Sequence, residues 1–471
     1  MNAAQRIYAA STSQDETVFR LAEELARRIE DDIASSDLPP GGAFGSMREL
    51  SLRYNVGRSV AREAMGLLER RGLGRLRRGP CGGFILAKPQ PETIGEELAD
   101  HFRLGGVNLR QLMDAREAVD LMAARCAAAA KRSPSDLERF AAALEMDGLA
   151  GRLAARVEIA RMAGEPVLLL FVECLNSLTI DFGRIDGRPL DGDARAPTGA
   201  SMTRALLAGD VVAAEAEAIG AHAELACWLE ERPPSAEPVE VARSIGPHGT
   251  RATTIARALA AEIVKSGSAG ARLGSEWDLC ERFDVSRLTL RQAIRLLEDS
   301  GFVECRRGRG NGLIVRDRRS AGAIRLVLAY LIGSKADPLA TGTILLQLNC
   351  FVPALAVCRA DSSQRRQLGV ALARVEACDP FDRYDLLSLV HCVSRLADSP
   401  IIDLFSRCLA AYEARFCQTL AGRLPASAQA NYFRLIRRLL DRPQVGSPAE
   451  MAQAKMEASA LMLEMSRSRP I

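Results

Sequence analysis

Apolar residues recur at helical spacing early in the chain. Leu21, Leu25, Ile29 and Ile33 stand every fourth residue and predict an amphipathic helix, which DLPPGG (37–42) ends because proline and glycine cannot continue it. Two further helices are predicted over SMRELSLRY (46–54) and RSVAREAMGLLERRG (58–72). Only NVG lies between them, a helix-turn-helix spacing. In the second, Ala61, Ala64, Met65 and Leu68 fall at i, i+3, i+4 and i+7 and face a core, which leaves Arg58, Ser59 and Arg62 outward near its N-terminal end. Strand-like runs LGRL (73–76) and GFIL (83–86) then flank a basic, glycine-bearing tip, RRGPCG, so a β-hairpin is expected.

The whole pattern occurs twice. Residues 44–86 align without a gap on residues 273–315 at an offset of 229, with 17 identities in 43 positions. The second copy puts Leu290, Ala293, Ile294 and Leu297 inside and Arg287 and Arg291 outside, and repeats the hairpin as FVEC, RRGRGN and GLIV. A fainter match at an offset of 234 joins EPVLLLFVECL (165–175) to SPIIDLFSRCL (399–409), so the duplication extends beyond the basic segments. Long helical-period stretches such as NLRQLMDAREAVDLMAARCAAAA (108–130) follow each basic segment and predict helical bundles. EERPPSAEPVEVARSIGPHGT (230–250), rich in proline and polar residues, reads as the linker between the halves.

The expected fold is therefore mainly α, with two winged helix-turn-helix domains, each with a small β-hairpin wing, and two all-helical bundles. The expected boundaries are a flexible N-terminus over 1–16, a winged helix over 17–88, a helical domain over 92–230, a linker over 231–250, a second winged helix over 251–317 and a second helical domain over 320–468.

Composition narrows the class. A chain of 471 residues suits three or four domains, and 48% hydrophobic with 26% charged residues is ordinary for a globular protein. The twelve cysteines are scattered without a CxxC pair, and Cys126, Cys174 and Cys408 lie in apolar helical patterns, which favours reduced, buried thiols. The N-terminal stretch lacks a signal-peptide layout, and no charge-free apolar run of membrane-spanning length is expected, so a cytoplasmic protein with no membrane partner is anticipated.

The formal net charge is only +3, yet residues 45–88 carry ten Lys or Arg against three Glu, a local +7. That is what phosphate neutralisation requires. A helix offering arginines to base edges, with a hairpin offering arginines and backbone N–H groups to phosphates or a minor groove, describes a winged-helix reader of double-stranded DNA. The second copy, residues 274–319, carries ten Arg against eight acidic residues, a net +2.

The motifs SMREL, VGRSVAREA, LLERRGL and RRGPCGG, repeated as SEWDL, VSRLTLRQA, LLEDSGF and RRGRGNG, resemble the winged-helix signature of the GntR family of bacterial transcription regulators. The resemblance implies that Arg48, Arg58, Ser59, Arg62, Arg77, Arg78 and Gly79 touch DNA in the first copy. In the second it implies the same of Arg287, Thr289, Arg291, Arg306, Arg307 and Gly308, with Arg309 in the same wing. The second copy departs from the signature at one position, where Trp277 stands in place of Arg48.

The helical segments resemble the effector domains of the FadR-like subgroup. Many of these hold a metal through an Asp, a His four residues later and two further His, and bind a small carboxylic acid. Here the first two positions read Arg152 and Arg156 and the third falls near Gly199, which leaves His222, and the second helical segment offers only His391. No metal and no cofactor are expected. Arg116 matches an arginine usual in this subgroup and, with Arg152 and Arg156, is a candidate for an anionic effector such as an organic acid or acyl-CoA. The alternative preferred for Arg116 is an i, i+4 pair with Asp120 on the helix surface.

These readings predict a non-enzymatic, sequence-specific DNA-binding regulator whose tandem readers form an intramolecular pseudo-dimer on an imperfect palindrome. The alternative is a ligand-independent DNA-binding scaffold whose helical domains serve only for dimerisation or partner binding.

Overall fold

A computed structural model describes residues 21–471 except 78, 80–81, 104, 132, 147, 184–198, 232–250, 267–269, 300, 306–311, 316–319, 378–382, 417–425, 443–447 and 468–471. The first half of the chain runs α1 (21–35), β1 (Ala43–Gly45), α2 (Met47–Arg53), α3 (Arg58–Arg70), β2 (Gly74–Arg77), β3 (Gly83–Leu86), α4 (Pro91–Arg103), α5 (Leu109–Ala129), α6 (Pro134–Leu144), α7 (Gly148–Met162), α8 (Pro166–Gly183), α9 (Ala200–Ala208) and α10 (Val211–Glu230). The second half runs α11 (Arg251–Ser266), β4 (Arg272–Gly274), α12 (Glu276–Phe283), α13 (Arg287–Asp299), β5 (Val303–Cys305), β6 (Leu313–Val315), α14 (Ala321–Gly333), α15 (Pro338–Arg359), α16 (Ser362–Ala377), α17 (Arg383–Ala397), α18 (Pro400–Phe416), α19 (Ala426–Leu440) and α20 (Pro448–Arg467). The mainly helical class with two winged helix-turn-helix motifs is as expected.

The chain alternates between two compact units. One takes in the sequence up to Glu97 together with Val241–Ala336, the other Leu98–Glu240 with Asp337–Ile471. Each unit therefore draws on both halves of the duplication.

In the first unit the two copies are built alike, and the identities between them have local causes. Ser46 and Glu49 close a capping box on α2, as Ser275 and Asp278 do on α12, so the orphan N–H groups of both helix starts are satisfied. The turn before each recognition helix passes through a left-handed residue, Asn55 (φ 51°) or Asp284 (φ 47°), side chains that tolerate that region. Each sheet is three antiparallel strands, in the orders β1-β3-β2 and β4-β6-β5. Gly83 and Gly312 stand where the wing strand crosses the first strand, and a Cβ there would lie 2.6 Å from Gly45 O or 2.2 Å from Gly274 O, so no side chain fits either site. At the end of each recognition helix a glutamate carboxylate accepts the N–H of a wing residue, Glu69 from Leu76 (3.3 Å) and Glu298 from Cys305 (3.0 Å). One difference is compensated: Phe84 packs over Gly74, whereas the second copy has the smaller Leu313 and room for Val303.

The apolar faces lie as the spacing predicts. Ala61, Ala64, Met65 and Leu68 are buried, as are Leu290, Ala293, Ile294 and Leu297. Leu25, Ile29 and Ile33 are buried too, but Leu21, at the first described turn, is 45% exposed. The copies also touch each other. Arg295 of α13 pairs with Glu63 of α3, Arg325 of α14 lies 3.3 Å from Glu23 of α1, and Lys335 donates to Ser36 O at 3.2 Å.

The second unit packs α5, α7, α8 and α10 with α15 to α20. Its centre holds Phe171 of α8 stacked on Phe405 of α18, with ring centroids 3.7 Å apart and planes 1° apart. These residues occupy the same position of the fainter repeat. Helices α5 and α15, which hold the same place in the element order of the two halves, also pack together, and Arg359 of α15 pairs with Asp114 of α5.

One expectation is corrected here. From Pro338 to Cys358 the chain carries no charge, and helices Pro166–Gly183 and Pro338–Arg359 are long and apolar enough to cross a membrane by length and composition. Both are mostly buried, 67% and 78% of the most apolar window, so their apolarity is that of core helices. All nine cysteines described are free thiols, Cys174 and Cys408 buried and Cys126 half-buried.

Candidate nucleic-acid interface

Helix α3 begins after Gly57 with three exposed side chains, Arg58, Ser59 and Arg62, opposite its buried face. Arg48, exposed on α2, flanks them. The antiparallel pair β2–β3 brings exposed Arg77 to the wing, where Gly79 (φ +118°) takes a backbone conformation that glycine allows and finds open space around its Cα. Arg78 lies outside the described residues. These side chains have the type and exposure needed to read bases and grip phosphates.

The second copy is different at the same positions. Arg291 is half-buried and donates from Nε to Glu276 Oε1 at 2.8 Å, where the first copy has Met47. Arg287 is exposed, with its guanidinium 5.4 Å from the ring centre of Trp277. Trp277 and Leu288 are 65% and 70% exposed. Thr289 is tied into the helix start, its N–H donating to Ser286 Oγ at 3.2 Å and the two hydroxyls 2.9 Å apart. Arg306, Arg307, Gly308 and Arg309 lie outside the described residues. The Glu276–Arg291 tie was missed by reading each copy by itself; comparing the copies position by position would have shown an acid facing an arginine where the other copy has Met47 and Arg62.

The three arginines of the helical segment come together in the second unit, and here one expectation needs correcting. Arg116 does pair with Asp120 (3.6 Å), but it is fully buried rather than on a helix surface. It donates to Asn176 Oδ1 (2.9 Å) and Thr179 Oγ1 (2.8 Å), and burial lowers its pKa to about 10 against the pull of Asp120. Arg156 donates to Asp120 Oδ2 (2.9 Å), Arg152 O and Ala221 O (both 3.0 Å), and Arg152 lies 3.5 Å from Glu224. His222 sits 3.9 Å from Glu117, which Lys455 also pairs, and burial holds its imidazole down to about 3. Arg116 Nη1, Asp120 Oδ1 and His222 Nδ1 have no hydrogen-bond partner among the described residues.

This donor set does not fit a divalent cation. Two positions that would supply a carboxylate and an imidazole are guanidiniums, one of them already bonded to Asp120, and a Cβ at Gly199 would overlap Leu144. His391 is exposed on α17, and no group of three or more His, Cys, Asp or Glu gathers among the described residues.

The model of the bacterial regulatory proteins of the gntR family matches residues 21–81 and again 251–312. An uncharacterized helix-turn-helix transcriptional regulator of Mycobacterium tuberculosis is 33% identical over 140 residues, 29% of this chain and 56% of that one. The transcriptional regulator LutR of Bacillus subtilis is 30% identical over 116 residues, covering 25% of this chain and 52% of LutR. The transcriptional repressor NanR of Klebsiella aerogenes is 34% identical over 80 residues, 17% of this chain and 30% of NanR. The chain thus spans about half or less of the curated relatives it matches. Among solved structures, Streptococcus agalactiae GntR aligns along its whole length with 46% of this chain at 18% identity and a TM-score of 0.30. The model of this one family thus falls twice in a single chain, once on each copy of the helix-turn-helix.

Proposed function

We propose that the protein is a non-enzymatic, cytoplasmic transcription regulator that binds a double-stranded DNA operator with both of its winged helices, as a pseudo-dimer within one chain. The observation that carries the DNA-binding reading is the exposed set Arg58, Ser59 and Arg62 on a recognition helix whose other face is core. The pseudo-dimer is supported by Phe171 meeting Phe405, since equivalent residues in mutual contact are what an isologous two-fold interface requires. On this reading residues 17–88 and 251–317 are the readers, 92–230 and 320–468 the helical domains, and 231–250 the linker. The candidate contacts are Arg48, Arg58, Ser59, Arg62, Arg77, Arg78 and Gly79, with Arg287, Thr289, Arg291, Arg306, Arg307, Gly308 and Arg309 in the weaker copy. The preferred operator is an imperfect palindrome with one strong half-site. Selection of duplexes from a random pool, followed by light scattering of the complex, tests both parts: one chain per two-half-site duplex is expected, and two chains on it would refute the pseudo-dimer.

A small anionic effector is a second reading, favoured by one observation: Arg116 Nη1 and His222 Nδ1 are buried without hydrogen-bond partners among the described residues, beside Arg152 and Arg156. A carboxylate or the acidic groups of an acyl-CoA would satisfy the Arg116 donor. Thermal-shift screening of organic acids and acyl-CoA thioesters tests it. Sharp stabilisation by one compound is expected, and a flat screen favours the ligand-independent scaffold.

A further inference from the structure

The two recognition faces carry different chemistry. In the first copy the base-facing positions are polar: Arg48, Ser59 and Arg62 are all exposed. In the second, the residues equivalent to Arg48 and Ser59 are Trp277 and Leu288, and both keep well over half of their surface in water, at 65% and 70%. The arginines around them are drawn aside. Arg291, equivalent to Arg62, is held by Glu276 at 2.8 Å, and Arg287 lies over the Trp277 ring. The indole and the leucine thus flank Arg287 and leave an apolar surface where the other copy presents Arg48 and Ser59.

A large apolar side chain left exposed on a recognition helix forfeits burial, and the major groove offers one apolar feature to cover it, the C5-methyl group of thymine. Guanine, in contrast, is read by two acceptors that call for an unencumbered arginine. The lower charge of this copy, +2 over residues 274–319 against +7 over 45–88, fits a face that adds little to phosphate attraction.

We infer that the second winged helix reads its half-site through apolar contact of Leu288 and Trp277 with thymine methyl groups, so that this half of the operator is specified by thymines where the other is specified by polar hydrogen bonding. The inference rests on the DNA-binding reading above and names what that reading leaves open.

Deoxyuridine in place of thymine removes the methyl and nothing else. Operators would be selected from a random pool with the full chain and, in parallel, with Leu288→Ser, which installs the first copy's residue; the half-site whose selected sequence changes belongs to the second copy. Affinity for duplexes carrying deoxyuridine in one half-site at a time is then read by fluorescence anisotropy at one salt concentration. Each contacted thymine replaced in the second half-site should weaken binding about fourfold, the equivalent of ~0.8 kcal/mol per buried methyl. In Leu288→Ser that penalty should vanish at the thymine Leu288 covers and persist at any thymine under Trp277, while deoxyuridine in the first half-site should act alike on both proteins. Leu288 is exposed, so this variant should keep the wild-type melting temperature. Trp277→Arg gives an independent readout, a shift of the selected half-site toward guanine. Equal deoxyuridine penalties in wild type and Leu288→Ser, or none in either half-site, would overturn the inference, as would a protein partner that covers Leu288 while DNA affinity is unmoved. Failure to select any duplex would overturn the DNA-binding reading itself.

Discussion

Phe171 and Phe405 lie ring on ring, 3.7 Å between centroids, each at the same position of its own repeat. Both are fully buried, so Phe171→Ala or Phe405→Ala should cost about 3–5 kcal/mol of unfolding free energy. Because each ring covers the other, the double variant should lose clearly less than the two single losses combined. Denaturant titration of the four proteins checks this, and strict additivity would show that the rings do not act as a pair.

Arg62 is exposed while Arg291 is held by Glu276, so the two arginines should contribute unequally to DNA binding. Arg62→Ala should weaken specific binding by about 1–3 kcal/mol, the scale of a bidentate base contact. Arg291→Ala should do less, and Glu276→Met, which restores the first copy's residue, should make a subsequent Arg291→Ala more costly. Equal losses from Arg62→Ala and Arg291→Ala at one salt concentration would refute the asymmetry.

The ion pair between Glu63 and Arg295 joins the two recognition helices directly. As a partly exposed pair it adds about 0–1 kcal/mol at most, but it fixes a distance: α3 and α13 stand within one pair of side chains of each other. The half-sites should therefore be close together, and spacing should matter more than for readers on a long tether. Inserting about half a helical turn of duplex between them should cost the intramolecular advantage, on the order of 10²-fold in Kd. Binding measured against spacer length checks this, and a flat profile would contradict it.

His222 supplies a pH dependence. Burial depresses its pKa from 6.5 to about 3, with Arg156, Lys455 and Arg116 adding to the fall and Asp120 opposing it. Glu117 faces it as well. The unfolded chain then binds a proton that the folded chain refuses, so the stabilisation is complete above about pH 6.5 and is lost as pH falls toward 3. The His222 contribution to the slope should approach 1.4 kcal/mol per pH unit in that window. His222→Gln should flatten the curve, and an unchanged slope in denaturant melts at pH 4, 5 and 6 would show that His222 is not the group responsible.

The winged helices were legible in the sequence because their determinants are local. The i, i+3, i+4 spacing of Ala61, Ala64 and Met65 names a buried face without reference to the rest of the chain, and the repeat supplied a second reading of the same pattern. Long-range partnerships were not legible. The pairing of Arg116 with Asp120 follows from helical spacing, but its burial depends on Asn176 and Thr179, some sixty residues away on another helix. The charge-free run from Pro338 to Cys358 went unnoticed because its two threonines, Gln347 and Asn349 interrupt the apolar pattern without adding charge. Glu276 lies 15 residues before Arg291, and only the turn of the helix-turn-helix brings the two together.

The alternation of the chain between its two units carries a cost during synthesis. The second unit cannot close until the second half exists, because Phe171 waits for a ring encoded 234 positions later. At the usual elongation rate of roughly 5–20 residues per second that wait is on the order of 10–50 s. Throughout it, the nascent first half holds out an apolar face shaped for its sibling, and the nearest ring to fit it belongs to a neighbouring ribosome's product. Rapid arrival of the second half, or a chaperone that occupies the face meanwhile, decides whether the chain closes on itself or on another.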